Sequence, residues 1–330
     1  MKKLVAFLIV TIIILGSLAS CNSSKFEGTV NIAVLNGTTG FGMAHLMEQN
    51  TNNSTNNNYN FSVHTKPNEI QAALINGDVD IAALSTSKAS VIYNESNGAV
   101  KVIALNTLGV LYVVENGNTI NSINDLANKK IYCPTDPSSI VKALLHKNNI
   151  QAEIDTTYAA PADLNKAIST GALKDKNVIA VLPEPVLTTA IKANEKLSVR
   201  LDLTEEWNKV DDNPLVQGCV VVRTEFLNEY PEVVEKFLDE YKTSIEYLKN
   251  NVGDAAKLVV KYNIFANENV AKIAIPKCNV TYIDGAEMKE TLESYLTSIY
   301  EVAPAGIGGK LPGSDFYYVE KWEIFLEKRL

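Results

Sequence analysis

The sequence predicts an α/β protein built as two similar lobes around a cleft. Short apolar segments, each the length of a buried strand, recur between residues 30 and 222 and alternate with segments of helical pattern. Several of these strands end in loops rich in glycine or hydroxyl side chains. From Asn228 onward the pattern changes to long amphipathic helices. A chain of 330 residues is long enough for two such lobes.

The first unit of this pattern runs from Val30 to Glu48. Its apolar start, Val30 to Leu35, is typical of a strand buried in a parallel sheet. The loop Asn36 to Gly42 then carries three glycines together with Thr38 and Thr39, and a helical segment follows. Ligands of open α/β sheets bind at the carboxyl ends of strands, where a helix N-terminus offers free N–H groups. We therefore expect this loop to grip a small polar or anionic solute; the alternative is an ordinary turn whose glycines serve packing.

Three later strands also end in polar residues. They repeat the scheme of the first unit, a strand followed by a polar loop. The strand Val79–Leu84 is followed by Ser85 and Thr86. The strand Lys129–Cys133 is followed by a hydroxyl-rich loop, Pro134–Ser139. The strand Val178–Leu182 is followed by Pro183-Glu184-Pro185, a carboxylate between two prolines.

The remaining elements follow from apolar periodicity. The strongest helical pattern places Val234, Phe237, Leu238, Tyr241, Ile245 and Leu248 on one face, after Pro231 in the first turn. The other predicted strands are Tyr59–His64, Val100–Leu105, Val110–Val114, Ala152–Ile154, Val199–Leu203 and Gly218–Val222. The other predicted helices are Glu69–Asn76, Ala89–Tyr93, a start capped by Ser122, a helix from Ile140, Pro161–Leu173, Gly253–Tyr262, Asn267–Ile273 and Ala286–Tyr300. Asn50–Asn58 is predicted to be an exposed loop, and Trp322 and Phe325 are predicted to pack in the core.

The N-terminus has the pattern of an export signal. Lys2 and Lys3 precede a 12-residue apolar run, Leu4 to Leu15, which is too short to span a bilayer. The segment Leu18-Ala-Ser-Cys21 resembles the bacterial lipobox, in which the cysteine becomes the lipidated first residue. We expect a signal peptide at 1–20, lipidation of Cys21 and a tether at 21–28, which would hold the protein on the extracytoplasmic face of the cell membrane. The alternative is a plain signal peptide or anchor with a chance cysteine.

Composition excludes several classes of function. The net charge of −8, or −10 once the leader with its two lysines is removed, has the wrong sign for a nucleic-acid binder, and no basic run is present. Cys133, Cys219 and Cys278 are too widely spaced for a metal motif, and the sequence favours buried free thiols over a disulfide. The three histidines show no metal-ligand or catalytic pairing. We expect neither a metal nor a cofactor.

Four segments in this order carry a family resemblance: Asn36–Gly40, Gly77–Ala82, Ile120–Leu126 leading to Lys129–Ile131, and Leu182–Pro185. Together they resemble the solute-binding proteins of ABC importers, in the group that serves nitrate, sulfonates, taurine and thiamine-type pyrimidines. The resemblance implies a type II periplasmic-binding-protein fold, in which two α/β lobes joined by two hinge crossovers close on a ligand. It implies one lobe from 29–110 and 221–330, a second from 111–220, and crossovers near 108–113 and 216–222.

The resemblance also implies the residues that line the cleft. They are Thr38, Thr39, Gly40, Ser85, Thr86, Asn106, Thr107, Thr135, Ser138, Ser139 and Glu184. Glu184 is the most discriminating, because a carboxylate accepts hydrogen bonds from an amine or a heterocycle N–H and opposes a simple anion. The chain has only three arginines, Arg200, Arg223 and Arg329, and none falls in the predicted cleft loops. This favours an amine-bearing or heterocyclic ligand, or an anion held by backbone N–H groups, over a sulfonate clamped by arginine.

The expected partners are a small solute and a membrane permease with its separate ATPase, and we expect a monomer that binds no nucleic acid and is not an enzyme. Related folds also occur in a menaquinone-pathway enzyme and in a pyrimidine synthase. The synthase carries a CCCFC iron motif that is absent from this sequence, and both enzymes are cytosolic, in conflict with the export signal. A surface adhesin or ligand sensor with the same fold is a further alternative.

Overall fold

The computed structural model describes residues 26–319, and its strands form two sheets. The predicted signal peptide, Cys21, Trp322 and Phe325 lie outside the described residues. The strands are β1 Thr29–Leu35, β2 Asn58–His64, β3 Ile81–Ser85, β4 Val100–Leu108, β5 Leu111–Glu115, β6 Lys130–Tyr132, β7 Glu153–Asp155, β8 Ile179–Pro183, β9 Ser198–Asp202, β10 Val216–Arg223 and β11 Val280–Ile283.

Helices cover both sheets and form most of the C-terminal third. They are α1 Thr38–Phe41, α2 Ala44–Thr51, α3 Pro67–Asn76, α4 Thr86–Glu95, α5 Ser138–Lys147, α6 Pro161–Ser169, α7 Val186–Ala193, α8 Leu203–Trp207, α9 Thr224–Glu229, α10 Pro231–Asn250, α11 Val252–Lys261, α12 Glu268–Ala274 and α13 Gly285–Tyr300. Short 3₁₀ turns occur as well, and the one at Ile123–Leu126 has the capping box that Ser122 and Asp125 predict. Within residues 26–319, no helix is long and apolar enough to cross a membrane.

Strands β1–β4 and then β10 and β11 belong to a six-stranded sheet, and strands β5–β9, which lie between them in the chain, form a five-stranded sheet. The six-stranded sheet has the order β11-β4-β10-β3-β1-β2, with β10 antiparallel to both of its neighbours. The five-stranded sheet has the order β7-β6-β8-β5-β9. The chain leaves the first sheet after Leu108, enters the second at Leu111, and returns between Asp202 and Val216. We call the part built on the six-stranded sheet lobe 1 and the part built on the five-stranded sheet lobe 2.

Burial on both faces explains the nearly continuous apolar run of β1. Val30, Ile32 and Val34 pack into one core cluster, while Ala33 points to the other face and packs into a second. A strand covered on both sides needs apolar residues at every position rather than at alternate positions. The apolar pattern of β1 therefore indicates a strand that is covered on both faces of the sheet.

Helix α10 confirms the amphipathic prediction in full. All six residues of its predicted apolar face are between 0% and 6% exposed, and they pack into the same cluster as Val30 and Ile32. Pro231 occupies the first turn, where its missing N–H costs no hydrogen bond. Each such side chain contributes about 1.5–3 kcal/mol by leaving water. This helix therefore anchors the C-terminal segment on lobe 1.

Sequence periodicity missed strand β11 and helices α7, α8 and α9. Strand β11 has four residues and pairs with β4 at only two positions, Val280 with Thr107 and Ile283 with Leu105. Helices α7, α8 and α9 have five to eight residues, fewer than the periodicity of a helix needs to be recognised. Cys133, Cys219 and Cys278 are buried free thiols, as the sequence favours.

Candidate functional site

The loop after β1 is shorter than the sequence predicts, because helix α1 already begins at Thr38. Gly37 makes the turn with a φ of 94°, a conformation that favours glycine. A Cβ on Gly40 would lie 2.6 Å from the Leu35 carbonyl oxygen and 2.8 Å from the Ile264 side chain. Gly40 therefore serves close packing within lobe 1, and Thr38 is the residue of this loop that reaches lobe 2.

Thr38 forms a direct hydrogen bond between the lobes. Its Oγ1 donates to the backbone carbonyl of Glu184 at 2.7 Å and lies 3.8 Å from the Cys278 sulfur. Thr38 is 8% exposed and Glu184 is 2% exposed. The ends of β1 and β8, which the sequence predicts as separate ligand contacts, therefore meet in this structure.

The carboxylate of Glu184 is held within lobe 2. It accepts hydrogen bonds from the Thr188 backbone N–H at 3.1 Å and from the Thr188 hydroxyl at 2.9 Å. Burial raises the pKa of Glu184 above its ordinary value, and the two donors of Thr188 act in the opposite direction. Glu184 thus caps the first turn of α7, and its role as a ligand acceptor stays a prediction.

A second contact between the lobes involves a carboxylate that sequence reasoning missed. The Ser85 hydroxyl, at the end of β3, donates to Asp136 Oδ1 at 3.2 Å and also accepts from the Lys88 backbone N–H at 3.3 Å. Asp136 follows β6 and precedes Pro137, just as Glu184 follows β8 and precedes Pro185. An acid between a strand end and a proline was the signal that could have identified Asp136.

Asn106 and Thr107 lie beneath the first loop and connect it to the central strands. The Asn106 Nδ2 donates to the Thr39 carbonyl at 3.1 Å and to the Cys219 carbonyl at 3.5 Å. The Thr107 hydroxyl donates to Asn106 Oδ1 at 3.0 Å. Both side chains are 1% exposed. Their contacts hold the loop in position from below.

Three of the other predicted hydroxyls bond to backbone carbonyls. Thr86 donates to the Val216 carbonyl at 3.1 Å, where the chain returns to lobe 1. In the β6–α5 loop, Ser138 donates to the Thr135 carbonyl at 2.7 Å and Ser139 to the Asp136 carbonyl at 3.3 Å. Thr135 is exposed. Between the lobes, the structure therefore brings Thr38 to Glu184 and Ser85 to Asp136.

The two described arginines bind carboxylates away from these contacts. Arg200 lies 3.4 Å from Glu115 within lobe 2, and Arg223 lies 3.1 Å from Asp80 within lobe 1. Two cavities, of about 380 and 520 Å³, are lined by residues of lobe 1. The first is beside Leu108 at the crossover and the second is beside the edge strand β2. The candidate site is formed by the polar groups that meet between the lobes, Thr38 with Glu184 and Ser85 with Asp136.

The chain matches one known protein family over most of its length. The model of a family described as menaquinone biosynthesis matches residues 41–300, well over half of the sequence. The chain belongs to the menaquinone biosynthesis family. No curated protein matches it.

Solved structures share the fold of this member of the menaquinone biosynthesis family. An ABC transporter protein from Parabacteroides distasonis is 22% identical with a TM-score of 0.73, and the match covers 89% of this chain and all of that one. The periplasmic aliphatic sulphonate binding protein SsuA from Escherichia coli is 13% identical with a TM-score of 0.68, covering 87% and 92%. These likenesses confirm the predicted two-lobed periplasmic-binding-protein fold.

A third structure of the same fold was solved with zinc bound. This ligand-binding component of an ABC-type import system from Staphylococcus aureus is 16% identical with a TM-score of 0.67, covering 89% of this chain and 97% of that one. In this member of the menaquinone biosynthesis family, residues 26–319 contain no group of three or more histidine, cysteine or acidic side chains arranged to hold a metal.

Proposed function

We propose that this protein is the solute-binding component of an ABC importer, lipid-anchored through Cys21 on the extracytoplasmic face of the cell membrane. It captures a small polar organic solute between two lobes, for which we propose the boundaries 29–110 with 221–330 and 111–220, and delivers it to a permease served by a separate ATPase. The observation that carries the proposal is the pair of contacts between the lobes, from Thr38 to Glu184 and from Ser85 to Asp136.

These contacts suit a binding protein because they come from opposite lobes and sit at strand ends. A solute between them would touch both lobes at once, and only a ligand that binds the closed form more tightly than the open form shifts the equilibrium towards closure. The sulfonate, taurine, nitrate and thiamine-type pyrimidine ligands of the resembling group define the first solutes to test. The likeness to the aliphatic sulphonate binding protein from Escherichia coli supports including them.

The test measures stability and shape together. The intrinsic tryptophan fluorescence of the full chain in detergent is followed on heating, with each solute present at up to millimolar concentration. A solute that binds the folded form alone at about 100 times its dissociation constant adds about 2.7 kcal/mol of stability. We expect the same solute to reduce the radius of gyration in small-angle scattering. A stabilising solute that leaves the radius unchanged would contradict lobe closure.

The anchor has its own test. Metabolic labelling with an alkyne-bearing fatty acid should mark the wild-type protein and leave Cys21→Ser unlabelled. Labelling of both proteins would show that the lipid is not on Cys21, and labelling of neither would contradict the lipoprotein assignment. Both results would leave the solute-binding proposal in place.

A second candidate, an enzyme, is favoured by the description of the matched family. The same solutes distinguish the two functions, because an enzyme consumes what it binds. Mass spectrometry of each mixture before and after incubation provides the measurement. A solute recovered intact after prolonged incubation supports binding and delivery, whereas conversion that depends on the protein supports the enzyme.

A further inference from the structure

Asp136 lies at a contact between the lobes, where its Oδ1 accepts a hydrogen bond from the Ser85 hydroxyl at 3.2 Å. The residue is exposed, although Cys133, Pro134 and Pro137 around it in the chain are buried. The protein that surrounds the carboxyl nevertheless raises its pKa by desolvation, against the opposing effects of Ser85 and Lys88.

The cations near Asp136 do not neutralise it. Lys88 is close enough to influence Asp136, but its Nζ donates to the Asn68 side chain at 2.8 Å. Among the residues that the structure describes, Asp136 has no ion pair within 4.0 Å, and both described arginines bind other carboxylates. The one side-chain donor recorded for Asp136 is the Ser85 hydroxyl from the opposite lobe. Its carboxylate therefore keeps acceptor capacity that the described chain does not use.

Glu184 offers a direct comparison. Its carboxylate is buried and already accepts two hydrogen bonds from Thr188, while that of Asp136 is accessible and accepts one from across the cleft. Of the two carboxylates at the lobe contacts, Asp136 is the one placed to receive a ligand.

We infer that Asp136 sets the substrate class: its carboxylate receives a protonated amine, an amidinium or a heterocycle N–H of the solute, with Ser85 as the second contact from lobe 1. Such a site rejects sulfonates and nitrate, because an anion would meet an unpaired carboxylate instead of an arginine. The inference rests on the proposed solute-binding function and narrows its ligand to cations and N–H donors.

Matched pairs of probes test the sign of the ligand charge. Guanidinium and nitrate are both planar and trigonal, propylammonium and propane-1-sulfonate share a carbon chain, and ethanolammonium and isethionate share a hydroxyethyl group. An aminopyrimidine serves as the neutral N–H donor. Each is titrated into the full chain in detergent, and the unfolding temperature gives the apparent affinity. We expect the cation of a pair, or the aminopyrimidine, to bind at least about tenfold more tightly than the anion, as a charge-assisted hydrogen bond implies.

Variants then assign the preference to Asp136. Asp136→Asn keeps an oxygen that can accept from Ser85, so the contact between the lobes is retained while the charge is lost. We expect it to lower cation affinity about tenfold or more and to raise anion affinity, a reversal that a purely structural role would not produce. Asp212→Asn, on an exposed residue, should change neither.

The outcomes separate this inference from the function beneath it. An anion that binds more tightly than its cation, with Asp136→Asn unchanged, would leave the solute-binding function standing and refute the role of Asp136. A cation preference that survives in Asp136→Asn would also refute that role. If no probe of either charge stabilises the protein, the solute-binding function itself fails, and the inference fails with it.

Discussion

Gly218→Ala tests the packing beneath the candidate site. Gly218 lies in β10, opposite Asn106 and Thr107. A Cβ at this position would overlap the Asn106 Oδ1, would lie 2.7 Å from the Thr39 methyl group and would lie 2.9 Å from the Thr107 Cβ. Contacts this short require the side chains to move, and the Asn106 amide that holds the Thr39 carbonyl moves with them.

The expected cost follows from two opposing effects. Overpacking a buried site costs about 1–3 kcal/mol. Replacing glycine by alanine also restricts the unfolded chain, which returns about 0.4–1 kcal/mol. We expect a net loss of about 1–2 kcal/mol in the free energy of unfolding. For a chain of this size that corresponds to a fall of about 2–4 °C in the unfolding temperature.

The matched control is Gly253→Ala. A Cβ on Gly253 would meet no atom of the described residues within 4 Å, and this glycine lies in the first turn of α11. The same chemical change should there be neutral or stabilising by about 0.5 kcal/mol. Urea unfolding followed by tryptophan fluorescence compares the two variants with wild type. If Gly218→Ala is as stable as wild type, the close approach of β10 to Asn106 is wrong.

Three further predictions concern other parts of the chain. Thr38→Val removes the hydroxyl that donates to the Glu184 carbonyl, and should favour the open form by about 1 kcal/mol, or about fivefold. Small-angle scattering should show a larger radius of gyration for this variant and an unchanged radius for Thr243→Val, which alters an exposed threonine. An unchanged radius for Thr38→Val would contradict the contact. Ser244→Ala removes a buried hydroxyl that donates to the Gly42 carbonyl at 2.5 Å. The free energy of unfolding in urea should fall by about 1–3 kcal/mol. A loss below about 0.5 kcal/mol, roughly the least expected of one hydrogen bond, would contradict this contact. Lys130 holds the pKa of Asp155 at about 2, below the ordinary 3.8. This pair therefore stabilises the protein above pH 3.8, and the contribution is lost as the pH falls to about 2. Lys130→Gln should flatten the pH dependence of the free energy of unfolding in that window, and an unchanged slope would refute the pairing.

Local sequence was enough to predict the elements whose burial is regular. Strand β1 and helix α10 are covered uniformly by one or two cores, so their apolar residues follow the period of the element itself. The αL end of α3 at Gly77, with φ 80°, likewise follows from a local requirement for glycine. Strand β11 could not be predicted this way, because only Val280 of its four residues is buried and no apolar period is visible.

The candidate site was predicted only in part, for a different reason. Hydroxyl residues at strand ends identify Thr38 and Ser85 locally, but their partners Glu184 and Asp136 come from the other lobe. Thr38 and Glu184 are 146 residues apart, and no local pattern encodes which loops face each other. Asp136 was also missed because the pattern expected of a ligand loop was its run of hydroxyl residues, and not the single acid among them.

The two acid–proline turns of lobe 2 show how one further residue separates two roles. Four residues after Glu184 comes Thr188, whose N–H and hydroxyl bind the carboxylate and bury it against α7. Four residues after Asp136 comes Ile140, which has no hydroxyl and whose N–H donates to the Pro137 carbonyl. The hydroxyls of Ser138 and Ser139 donate to backbone carbonyls of the same turn and not to the Asp136 carboxylate.

Nothing within its own turn therefore draws Asp136 inward, and the recorded donor, Ser85, comes from the opposite lobe. The same strand–acid–proline sequence thus gives a helix cap where a hydroxyl follows at the fourth position and an open acceptor where an apolar residue follows. Thr188→Val keeps the N–H that binds Glu184 but removes the hydroxyl, and should therefore free one acceptor position of a second carboxylate at the lobe contact. Cation affinity should then depend more strongly on Glu184, so that Glu184→Gln lowers it more in the Thr188→Val background than in the wild type. If Glu184→Gln has the same effect in both backgrounds, the residue at the fourth position is not what separates the two turns.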